Sequence, residues 1–103
     1  MIKPEKMTLI KLHNVVLKEF DSTLDLLARA LRALGKMEQN QKTVKFQRSI
    51  KEQRNKLSET AKEVKQLPID KISDAESLTI RKKLLNHLIL LKNIQELFTP
   101  PQQ

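Results

Sequence analysis

The stretch RKKLLNHLILLKN, residues 81–93, places six Leu or Ile at positions 84–91, broken only by Asn86 and His87. Basic residues bracket it. Such a segment can cross a membrane, fill a core or meet a partner. Crossing a bilayer takes about 20 consecutive apolar residues, far more than this run supplies. Its wider spacing points to a helix. Ile80, Leu84, Leu88, Leu91, Ile94 and Phe98 recur three or four residues apart and share one helical face. Leu78, Leu85 and Ile89 form a second stripe on another side of the helix. Ser73 and Glu76 in SDAE form a capping-box signature, and Asp74 and Glu76 suit the positive end of a helix. The predicted helix covers residues 73–98, stopped by the paired prolines of TPPQQ.

Two more helices precede it. Val16, Phe20, Leu24, Leu27, Leu31 and Leu34 hold one face across residues 7–34, widened by Leu9, Leu12 and Leu17. Gly35, the single glycine, stands where a left-handed residue would close that helix. Residues 1–6 read as a lead-in. The second helix covers 43–67, with Phe46, Ile50, Leu57, Ala61, Val64 and Leu67 in a sector of roughly 120°. The rest of it is almost wholly polar, and Pro68 ends it. Short joints predict an all-α, antiparallel three-helix bundle, up-down-up, in which each helix touches the other two. Residues 1–103 read as one domain with a flexible tail at 99–103. One glycine in the whole chain argues against folds that need many tight turns.

In a bundle the third helix needs a wide apolar face, so its leucines are mainly core. The second helix offers only one narrow seam in return, so Leu78, Leu85 and Ile89 should stay at least partly exposed. Apolar anchors with a charged rim are a common interface pattern. Leu78, Leu85 and Ile89, rimmed by Arg81 and Lys82, are therefore the expected partner-binding residues, toward another protein or a second copy.

Enzyme chemistry finds no foothold. P-loop, GxGxxG, HExxH and GxSxG patterns are absent, and Cys is absent altogether. His13 and His87 lie on different helices and read as boundary residues covering the core. No catalytic residue, metal ligand or cofactor is expected. Lack of cysteine and of a signal-like apolar run at the start suggests an intracellular setting, cytoplasmic or nuclear.

The net charge of +8 suits an acidic partner or nucleic acid. Lys42, Lys45, Arg48, Lys51 and Arg54 recur every third residue, so they spiral round the helix. Lys51, Lys62 and Lys65 do share a side and are the candidate anion-binding residues. Glu52, Glu59 and Glu63 fill the neighbouring strip. Tyr and Trp are absent, and the three Phe read as buried, which leaves no platform for base stacking. Nucleic-acid binding is thus the alternative to a protein-interaction module. A membrane-surface role is disfavoured, since the third helix carries one terminal Phe and has an intramolecular use for its aliphatic residues.

The run IRKKLLNHL (80–88), following KEVKQLPIDKI (62–72), resembles the last two helices of the BAG domain. That family is a three-helix bundle, and the resemblance implies binding to a heat-shock chaperone ATPase domain, with Arg81 and Lys82 matching its Arg-Lys pair. Ile89 stands where the family carries a glutamine, and the acidic positions of the second helix are out of its register.

Overall fold

The computed structural model describes residues 4–98. It contains three helices, α1 (Pro4–Gly35), α2 (Gln41–Lys65) and α3 (Asp74–Phe98), with a 3₁₀ turn at Ile69–Lys71. No strand occurs among the described residues, and the chain is an all-α three-helix bundle. The tail at 99–103, expected to be flexible, lies outside the described residues.

Helix α1 begins at Pro4, earlier than the apolar spacing indicates. The first turn's N–H groups have no helical acceptor, so a residue lacking that donor is tolerated there. Its far end corrects a second expectation. Gly35 is the last helical residue, and no glycine has a positive φ. The closing carbonyls are satisfied without a left-handed residue. The Lys36 N–H donates to Ala33 O (3.2 Å) and the Met37 N–H to Leu34 O (3.1 Å). The Gln39 amide donates to the carbonyls of Leu34 (3.0 Å) and Met37 (2.9 Å). The turn tightens, and a side chain supplies the remaining donor.

Asn40 caps α2. Its Oδ1 accepts from the Thr43 N–H at 2.9 Å and from the Thr43 hydroxyl at 3.2 Å. That cap starts the helix at Gln41, ahead of the predicted residue 43. Helix α2 stops at Lys65, two residues before the predicted end, with Pro68 beyond. The chain then dips inward, and Ile69 and Ile72 join the core. Ser73 Oγ accepts from the Glu76 N–H at 3.3 Å, one half of the expected capping box.

Contacts give the helices their order along the long axis. Near the start of α1, Lys6 Nζ donates to Ile72 O at 3.3 Å, and His13 Nε2 donates to Val64 O at 2.7 Å. Because a carbonyl only accepts, the His13 proton sits on Nε2. Further along α1, Glu19 and Thr23 meet Gln95 of α3. At the other end Phe46 of α2 stacks on Phe98 of α3, centroids 6.3 Å apart.

Helix α1 lies between the other two. Both pack directly on it, while the backbones of α2 and α3 stay more than 8 Å apart. Each helix therefore touches the other two, but α2 and α3 meet through side chains, such as Phe46 on Phe98, rather than through close backbones. The buried residues of α1, Leu9, Val16, Phe20 and Leu27, share one face, with α2 packed to one side of it beside Leu17 and Leu24 and α3 to the other beside Leu26. The molecule is correspondingly flat, 58 × 32 × 17 Å.

The core draws on every element: Leu9, Val16, Phe20 and Leu27 of α1, Ile50, Leu57 and Val64 of α2, Ile69 and Ile72 of the joint, and Leu84, Leu91 and Ile94 of α3. Each such side chain contributes about 1.5–3 kcal/mol of transfer free energy. Leu24, Leu31, Leu34, Ala61, Leu67, Ile80, Leu88 and Phe98 pack partly buried round it. Phe46 departs from its predicted place in the α2 seam, being 49 % exposed. It lies where α3 ends, so the Phe98 ring covers one side of it and little else does. Phe20 is the only fully buried phenylalanine.

Candidate interaction surface

The two apolar stripes of α3 have different fates. Leu84, Leu91 and Ile94 are buried against α1, with Ile80, Leu88 and Phe98 alongside. Leu78, Leu85 and Ile89 face solvent, 60 %, 41 % and 60 % exposed. At 100° per residue these three fall within about 40° of one another, along about 16 Å of helix. Arg81 lies about 40° to one side of Leu85 and Lys82 about 20° beyond Ile89. Both bases are exposed, and no ion pair among the described residues engages either. The structure thus brings the five expected residues onto one open face.

A polar seam borders this face where α3 meets α1. The Gln95 amide donates to Glu19 Oε2 (2.7 Å) and Thr23 Oγ1 (2.9 Å), and Lys92 Nζ sits 3.3 Å from Glu19 Oε1. The Thr23 hydroxyl donates to the Glu19 carbonyl at 2.7 Å, so this buried polar group is satisfied. The Gln95 hydrogen bond holds the Glu19 carboxyl below the usual carboxylate range; Lys92 adds to this and burial partly opposes it.

On the opposite side, the gap between α2 and α3 forms a shallow recess of about 400 Å³ lined by Glu63, Val64, Leu67, Lys83, Leu84, Asn86 and His87. The His87 ring leans on Phe20 with centroids 5.7 Å apart. Burial and then the nearby Lys83 ammonium push its pKa down, while Glu63 pulls the other way. An imidazole so placed is held neutral. Nothing beside it forms a nucleophile–base pair, and among the described residues no three His, Asp or Glu gather as a metal site.

The anion-binding candidates separate. Lys62 and Lys65 line one recess with Asp21, whose carboxylate would repel an anion. Lys51 is about 16 Å further along the helix from Lys62, too far for one phosphate to bridge.

Sequence reasoning missed the exposed Leu90 and Leu97 of α3, as well as exposed Phe46. A helix apolar nearly all round, like α3, gives periodicity little contrast, so spacing does not single out Leu90 and Leu97 as exposed. No helix among the described residues is long and apolar enough to cross a membrane. No family model, curated protein or solved structure matches this chain, so the likeness of residues 62–88 to the BAG domain has no family match behind it.

Proposed function

We propose that this chain is a non-enzymatic protein-interaction module, an adaptor or a subunit of a larger assembly, that docks through the outer face of α3. The observation that carries this reading is the exposure of Leu78, Leu85 and Ile89 together, on a helix whose other apolar stripe already serves the core. Folding alone gives no reason to keep three large aliphatic residues in line on solvent, and contiguous exposed apolar patches mark partner sites. The alternative, nucleic-acid binding, draws less support, because the lysines of α2 share their recess with Asp21 and are dispersed along the helix.

The test is the pair Leu78→Ser with Ile89→Ser, both on the most exposed positions of the strip. The variant should melt within a few degrees of the parent. It should also lose the proteins that the parent retains in a quantitative pull-down, compared side by side by mass spectrometry. Retention of the same set by the variant would refute the reading.

A further inference from the structure

Docking on α3 leaves open what docks, and the charge around the strip bears on that. Between Glu76 and Glu96 the helix carries Arg81, Lys82, Lys83 and Lys92 and not one acid. Lys92 is engaged by Glu19, but Arg81 and Lys82 have no carboxylate partner among the described residues. They flank the exposed aliphatic strip on opposite sides. We infer that the face accepts an acidic amphipathic helix of another protein, seating its aliphatic residues on Leu78, Leu85 and Ile89 and its carboxylates against Arg81 and Lys82. This rests on the docking reading above and adds the chemistry of the partner.

Three physical arguments support that occupant. A helix laid along α3 needs only a narrow apolar line about 16 Å long, which matches the strip. Arginine beside such a line reads carboxylates well, since its planar fork pairs them bidentately. A second copy is a poor match. An antiparallel α3–α3 pair that seats Leu78 on Ile89 is centred between positions 83 and 84 and brings the Lys82 residues of the two copies within about 5 Å of each other along the axis, and each copy brings a net +8. An anionic lipid surface would share the charge preference. However, the strip has no aromatic residue, and the helix is already fastened along its Leu84, Leu91 and Ile94 face.

The experiment uses the full chain and two labelled helical peptides of about 20 residues, long enough to cover the strip. Both have leucine at the same three- and four-residue spacings. One has glutamate at the flanking positions and the other glutamine. Binding is read by fluorescence anisotropy. The acidic peptide should bind at least about tenfold tighter than the neutral one, with the advantage shrinking as salt rises. Arg81→Glu with Lys82→Glu should erase that advantage, and Leu78→Ser with Ile89→Ser should abolish binding of both peptides.

If the peptides bind equally and the charge reversal changes nothing, while the serine variant still loses both, the acidic partner is wrong and the docking face stands. If neither peptide binds, the inference fails, and the pull-down judges the docking face separately. Serine-sensitive sedimentation with phosphatidylserine-containing vesicles would overturn it in favour of a membrane surface. Serine-sensitive dimerisation in analytical ultracentrifugation would overturn it in favour of a second copy.

Discussion

Leu84 and Leu85 are neighbours of identical chemistry, and truncating each to alanine isolates burial from every other variable. Both changes carry the same helix-propensity gain and the same loss of side-chain volume. Leu84 is completely buried beneath α1, and Leu85 is 41 % exposed. Leu→Ala removes roughly three methylene equivalents, about 2.4 kcal/mol of transfer free energy when fully buried. At position 84 the enclosed cavity adds to this, giving a loss of about 3–5 kcal/mol. At position 85 about three-fifths of the transfer term applies and water enters freely, giving about 1–1.5 kcal/mol. A domain of this size holds about 5–15 kcal/mol in total, so Leu84→Ala removes a large share of it and Leu85→Ala a small one. Urea denaturation followed by far-ultraviolet circular dichroism measures both, with matching m-values as the check that each variant still unfolds in the same way. Equal losses, or a larger loss at position 85, would refute the assignment of the two faces of α3, and the proposed docking surface with it.

Gly35→Ala should stabilise the protein by about 0.4–1 kcal/mol, because the glycine has no positive φ and an added Cβ meets nothing within 4 Å; a lower urea midpoint would contradict this. Asn40→Ala should cost about 1 kcal/mol by stripping the α2 cap of the oxygen that Thr43 donates to twice, and amide exchange should quicken first at residues 41–44. His87 titrates below the ordinary imidazole range near 6.5, so the unfolded chain takes up its proton first. The stability it contributes is therefore present above about 6.5 and is lost as pH falls through its folded value. His87→Gln should flatten that part of the stability profile, and an unchanged slope would count against the packing on Phe20. Glu19 behaves in the same sense at lower pH: its contribution is present above the ordinary carboxylate range and lost on acidification. Gln95→Ala should raise its pKa by nuclear magnetic resonance titration.

Much of this fold is legible in one dimension. A helix repeats its face every three to four residues, so Phe20, Leu27, Ile50, Leu57, Val64, Leu84 and Leu91 announce both the helices and their buried sides. The exposure of Leu78, Leu85 and Ile89 followed from the same reasoning, since two stripes on one helix outrun a single seam on another. Local chemistry also speaks locally, as in the Ser73 cap of α3. Three features were beyond what spacing alone could rank. The end of α1 took its donors from Gln39 rather than from a left-handed Gly35, because several solutions satisfy the same orphan carbonyls and spacing does not rank them. Phe46 sits on the α2 seam by angle, yet its burial rested on how far α3 extends beside it. Above all, periodicity tells which face of a helix is apolar but not the angle between the two neighbours that cover it. Only tertiary packing kept the backbones of α2 and α3 more than 8 Å apart, left a recess between them, and left Arg81 and Lys82 standing unpaired beside the strip.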